Sequence, residues 1–337
     1  MKRFMNILLP VLSFAAMSLS AISCIHYWPD EDPQDPTLVR TTVRIHPASA
    51  MTLYDNGNGL VETGRYYSSP ESEARYFIRI YADENWCHDL VYEEDLVASA
   101  DRLGDIIERE LELHAMHYRV VVWQDQPRMY DFSGMTSVCV ADKSLYAGSR
   151  DDKKAQAVSG DMDLSGFSDK WNASFTYDVE LVHPVAKMVL VATDVEKFAG
   201  AFAANHPGQS GKGIKEVLEE CRVRVYYTGY LPTGYNVMGD KLNDARPEYS
   251  FETVIRQMDD GEAVIGFDYI LVAASTSVSV KIELSDAEGN VINTADGIQV
   301  PLERNRITVV KGEFLTKDYG GGIGIDPGFE GNIDINV

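Results

Sequence analysis

An alternation of period two runs through most of this 337-residue chain, and it leaves little room for anything but β-structure, because successive side chains of a strand point to opposite faces. Over 38–45, Val39, Thr41, Val43 and Ile45 alternate with Arg40, Thr42 and Arg44. The same pattern predicts strands over 74–82, 107–113, 117–123, 174–182 and 185–192, then 222–227, 265–272, 277–284 and 306–315. These segments are rich in Val, Ile, Tyr and Phe, which suit a pleated, half-buried surface. Many short strands broken by turn residues imply an all-β sandwich architecture. One hairpin is explicit: Val278, Val280, Ile282 and Leu284 lead through 286–290 to Val291, with Gly289 and Asn290 able to supply positive φ. Helix is expected only over 195–204, capped by Asp194, and over 214–220. Loops of Gly, Asp and Lys fall at 55–59 and 147–160, and a boundary is expected near His183 and Pro184.

The first 24 residues have a different grammar. Lys2 and Arg3 precede an apolar run of 13 residues, 7–19, followed by Ser20, Ala21, Ser23 and Cys24. That run is shorter than the ~18 residues a spanning helix needs, and the small residues suit a peptidase, so the segment is expected to be cleaved. It resembles a bacterial lipoprotein signal, in which the cysteine, here Cys24, is acylated and becomes the first residue of the mature chain. Ala21 departs from the Leu, Val or Ile usual three positions before that cysteine. Beyond it, 28–36 carries three prolines and four carboxylates, a sequence that bars helix and ladder pairing and stays solvated. We read it as a tether, and an acidic run in this place resembles the export signal of Bacteroidota surface lipoproteins.

Fifty-two acidic residues against 30 basic ones give a net charge of −22, or −24 once Lys2 and Arg3 leave. A surface of that sign repels phosphate backbones and anionic headgroups, so no nucleic acid is expected as a partner. The mature length exceeds what one core usually holds, and two domains are expected. With Cys24 committed, Cys87, Cys139 and Cys221 are too few and too widely spaced for a disulfide framework or a zinc knuckle, and are expected to be mostly buried thiols.

Motifs that could carry chemistry fall short. Gly208, Gly211 and Lys212 have two residues between the glycines where a Walker loop has four, and Gly213 stands in place of Ser or Thr. Asp161, Asp163, Ser165 and Gly166 follow the start of a calcium loop, but its twelfth position is Asn172 in place of glutamate. His114 and His117, taken as three apart in one strand, would point to opposite faces and share no metal. No Gly-x-Ser-x-Gly elbow and no cysteine-protease signature occurs. Tyr226, Tyr227, Tyr230 and Tyr235 could stack on sugar rings if exposed, but strand and turn packing is the expectation. The reading is therefore non-enzymatic, with no catalytic residue, no metal and no cofactor.

The last third carries a resemblance. Arg304 and Arg306 form a basic turn before 307–316, followed by the glycine-rich 320–324, by Asp326, Pro327, Gly328 and Phe329, and by the alternating 332–336. With 118–125, 183–187 and 231–237, these stretches resemble the fimbrillin-like surface lipoproteins of Bacteroidota, a family largely of unknown function. The resemblance implies two tandem transthyretin-like β-sandwich domains, with signal 1–23, tether 24–37, and domains over 38–182 and 183–337. It implies a lipid-anchored outer-membrane protein facing the cell exterior, a structural, anchor or adhesive subunit of a type V pilus. Subunits of that kind assemble by β-strand complementation: cleavage after an arginine removes a first strand, and another subunit's extended end fills the groove. Here Arg40 is the candidate processing site, and Ile333, Ile335 and Val337 mark the candidate donor strand. The alternative is a monomeric surface lipoprotein that binds a glycan or host ligand through loops such as 55–59.

Overall fold

The computed structural model describes residues 35, 37–53, 73–84, 87–141, 148–149, 151–205, 212–258, 261–316 and 333–334. In chain order the first ten strands are β1 (Val39–His46), β2 (Thr52–Leu53), β3 (Glu73–Glu84), β4 (Cys87–Ser99), β5 (Ile107–Leu113), β6 (His117–Asp125), β7 (Tyr130–Phe132), β8 (Val138–Val140), β9 (Ala155–Asp163) and β10 (Ser174–Glu180). After them come β11 (Val185–Ala192), β12 (Arg222–Tyr227), β13 (Leu231–Asn236), β14 (Lys241–Arg246), β15 (Ser250–Thr253), β16 (Arg256–Gln257), β17 (Ala263–Leu271), β18 (Ser275–Ser285), β19 (Val291–Glu303), β20 (Arg306–Gly312) and β21 (Ile333–Asp334). The helices Val195–Asn205 and Ile214–Glu219 stand between β11 and β12. The molecule is all-β, as the alternation predicts. The 286–290 turn joins β18 to β19, with Gly289 at φ 87°. Asn290 is not in the left-handed region.

The described strands form five sheets. The order β10-β1-β5 packs on β4-β3-β6-β9, and between them lies a core of Val39, Val43, Ile45, Tyr76, Ile78, Ile80, Tyr118, Val120, Val122 and their neighbours. The second core is larger and gathers around β11 and β17, whose residues are buried along both strands. Strands buried on both faces lose the alternation and read as continuous apolar runs, which is the pattern of 185–192. Val121 and Trp123 on β6 point away from the first core and into the second. The middle sheet is thus a wall common to both cores.

Two further sheets draw strands from both sides of residue 183: β7 and β8 join β13 and β14, and β2 joins β20. The junction is also polar at chosen points. Arg75 clamps the buried Asp125 with contacts of 2.8 and 2.9 Å, and Trp123 Nε1–H donates to the same carboxylate at 3.0 Å. Lys153 hydrogen-bonds Asp268 on β17, a pair joined across 115 positions.

Two expectations are corrected. The loop expected over 147–160 gives way at Ala155 to β9, which pairs with β6 from Ala155 to Asp163. His114 and His117 do not share a strand, because β5 ends at Leu113 and the chain turns before β6 begins at His117.

Candidate assembly site

The first strand is held on both sides. β1 pairs antiparallel with β5 over Val39–Ile45 and parallel with β10 over Arg40–His46. Its inward residues Val39, Thr41, Val43 and Ile45 are 0–1% exposed. The outward residues continue the alternation of the sequence, and the flanking strands answer them in charge. β5 presents Glu108, Glu110 and Glu112, β10 presents Asp178 and Glu180, and β1 between them presents Arg40, Arg44 and His46. Arg44 contacts Glu108 at 2.7 Å and Asp178 at 3.9 Å, and His46 Nε2 lies 2.8 Å from Asp178. Cross-strand pairs of opposite charge favour this register over slipped ones.

Arg40 is exposed, opposite Glu112 and Ser174, and its backbone N–H donates to Ala173 O at 2.9 Å. It is the second residue of β1. A cut after Arg40 would release Val39 and Arg40 and leave six of the strand's eight residues, Thr41–His46, in their ladders. Such a cut does not by itself open a groove.

The other end of the chain meets the second core. β20 pairs parallel with β11 on one edge. Its other edge carries two short parallel strands, β2 at Arg306–Ile307 and β21 at Val310–Lys311. Ile333 therefore stands in a strand at a sheet edge; Ile335 and Val337 lie outside the described residues. Cys24, the tether up to residue 34, and the loop 55–59 also lie outside them, as do 206–211 and 317–332. Asp194 secures the approach to that edge by accepting from Leu315 N–H (3.1 Å), Thr316 N–H (2.7 Å) and Thr316 O–H (2.8 Å).

Elsewhere the candidate chemistry is absorbed by the fold. Asp161 is bound by Arg119 at 2.6 Å and Asp163 accepts from Ser165 N–H at 2.8 Å. Among the described residues no group of three or more His, Cys, Asp or Glu side chains could hold a metal ion. Tyr226, Tyr227 and Tyr235 donate to Glu283, Asp268 and Asp240 at 2.7, 2.6 and 2.5 Å, while Tyr230 is 71% exposed. Cys139 and Cys221 are free thiols. Burial pushes the Cys221 thiol up to about 11, which leaves little thiolate to act as a nucleophile. An open cleft of about 760 Å³ is lined by residues from both sides of position 183, among them His88, His117, Arg119, Asp161, Asn236 and Lys241. No described helix is long and apolar enough to cross a membrane.

The model of one family, described as a family of unknown function (DUF6562), matches residues 39–337. No curated protein matches the chain. Among solved structures it is similar to a candidate polysaccharide-binding protein (DUF1812) from Bacteroides thetaiotaomicron, with a TM-score of 0.46, 10% identity and coverage of 77% of this chain and 80% of that one. It is similar to the fimbrial anchor protein Mfa2 from Porphyromonas gingivalis, with a TM-score of 0.42, 11% identity and coverage of 76% and 82%. A candidate adhesin from Bacteroides ovatus has a TM-score of 0.42, 10% identity and coverage of 90% and 94%.

Proposed function

The chain belongs to the DUF6562 family, whose function is unknown, and on that premise we propose a non-catalytic outer-membrane lipoprotein, anchored through an acylated Cys24 and exposed at the cell surface. Its role is that of an anchor or adhesive subunit of a type V pilus-like fibre. The signal and tether of residues 1–37 and the fimbrillin-like motifs from Arg304 onward support this reading. The observation that carries it is the seat of β1, laddered on both sides and matched in charge to β5 and β10. A subunit that keeps such a strand offers no empty groove of its own and joins a fibre through its other end. In this reading the donor is the segment marked by Ile333, Ile335 and Val337, which leaves the β20 edge to complete another subunit's sheet. Arg40 then stays uncut in the working protein.

Intact mass of the protein from native membranes, with external protease applied to whole cells, tests the anchor. The expected result is an acylated chain beginning at Cys24 that the protease removes. A chain beginning at Thr41 would show processing at Arg40 and overturn the uncut-strand reading; an unmodified chain starting near Cys24 would end the lipoprotein reading. Assembly is tested by concentration-dependent ladders that disappear when residues from Asn332 onward are deleted.

The open cleft favours a second reading, a monomeric module that binds a glycan. Its lining includes His88, His117, Arg119, Asn236 and Lys241 together with Asp83 and Asp161, a set of donors and acceptors suited to hydroxyl-rich ligands. A protein that stays monomeric at every concentration and is retained on a glycan array would support it.

A further inference from the structure

Lys153 and Asp268 meet in the dry interior, with side chains 3% and 0% exposed. A buried ion pair of this kind is weak evidence for stability, since the desolvation of both charges offsets their attraction and apolar replacements often do as well. The pair therefore invites another explanation. Its surroundings are organised around the carboxyl group. Lys153 Nζ hydrogen-bonds Oδ1, and the backbone N–H of Tyr269 donates to the same oxygen at 2.9 Å. The Tyr227 O–H donates to Oδ2 at 2.6 Å. Tyr227, Phe267 and Tyr269 are 3–4% exposed, and Tyr130 O–H fixes the lysine backbone by donating to its carbonyl at 2.7 Å. An amine and a carboxyl group are held together in a site from which water is excluded.

We propose that Lys153 and Asp268 form an intramolecular isopeptide bond. The reaction needs a neutral amine, so one ammonium proton is handed to the carboxyl group and carried on Oδ2. The nitrogen lone pair attacks Cγ, so that the Nζ–Cγ bond forms and negative charge collects on Oδ1, which the Tyr269 N–H stabilises. The Cγ–Oδ2 bond then breaks. Oδ2 leaves as water with the proton of the acid and one from the nitrogen, and the Tyr227 O–H donates to it as it departs. Nothing is oxidised or reduced, and no co-reactant is needed. Fixed proximity supplies what two free groups in water lack. The product is a neutral amide, which relieves the core of both charges. It also ties the segment before β9 to β17, across 115 positions and across the junction of the two halves.

The test is the intact mass of the full mature chain after denaturation and reduction. The expected mass is lower than the sequence mass by one water, with any acyl mass at Cys24 counted separately, and a digest should contain one branched peptide holding both Lys153 and Asp268. Lys153→Arg keeps the cation and should restore the full mass. Asp268→Asn should form the same amide with loss of ammonia, so its mass should equal that of the cross-linked parent. A parent chain at full sequence mass, with Lys153 and Asp268 in separate linear peptides, would overturn the proposal and leave an ordinary ion pair. The decisive reading is made on the unaltered protein, so a variant that fails to fold does not blunt it.

Discussion

Asp194 shows how much can hang on one side chain. It stands just before the helix Val195–Asn205, where its backbone carbonyl accepts from Phe198 N–H, and its carboxylate receives three donors from Leu315 and Thr316. The sequence marks it as a helix cap, but its carboxylate serves the 315–316 segment instead. Asp194→Ala leaves those donors unpaired in a buried place, and a loss of about 1–3 kcal/mol is expected, seen as a lower urea midpoint with unchanged slope. Glu94 gives a pH signature. Hydrogen bonds of 2.6 and 2.7 Å from Arg109 hold its carboxyl below the ordinary 4.5. A lowered folded pKa contributes stability above 4.5 that is lost as pH falls through the folded value. Glu94→Gln should therefore flatten that part of the acid limb of the stability profile, measured by urea titration across pH. Lys153 was not legible at all: in the run Asp151, Asp152, Lys153, Lys154 nothing distinguishes the buried lysine from its neighbour, and only β17 arriving from far along the chain makes the difference.

At the level of elements, the sequence is read well where one face of a strand meets a core and the other meets water. β1, β5, β11 and β12 fall within a residue of the alternating or apolar segments that mark them. The failures have physical causes. β4 escapes notice because Glu93, Glu94 and Asp95 interrupt its alternation, which a sheet-edge strand tolerates, and the acids discourage pairing with another chain. β9 holds Gly160 and two aspartates and looks like a turn. A Cβ at that position would meet the Tyr177 hydroxyl of the facing sheet, so the glycine lets the two sheets approach without displacing that tyrosine. The candidate assembly site was legible as a strand bearing an arginine, but the acids on either side became its neighbours only through pairing 64 and 132 positions away. Arg44→Glu would place like charges across β1 from Glu108 and Asp178. Because these groups are half exposed, the expected loss is about 1 kcal/mol or less, read as a lower Tm that recovers partly in high salt.

For the whole molecule, the all-β architecture was legible because it rests on periodicity, while the sharing of β6 between two cores was not, because it rests on which strands meet. That sharing predicts a single cooperative transition. Trp123 lies at the common wall, fully buried, so its fluorescence and the far-UV signal should change at one denaturant concentration, whereas two separated midpoints would mean that the halves melt independently. The pairing of β1 sets a timetable as well as a topology. Its antiparallel neighbour ends at residue 113 and its parallel neighbour at residue 180, so a chain delivered N-terminus first carries this strand without its full set of partners until more than half its length has emerged. Closing such distant contacts is slow, and pulse-labelled hydrogen exchange should find the amides of Val39–His46 among the last to gain protection. Until then the strand is a sticky end in search of a neighbour, and whatever shields it in that interval governs how much of the protein reaches its destination intact.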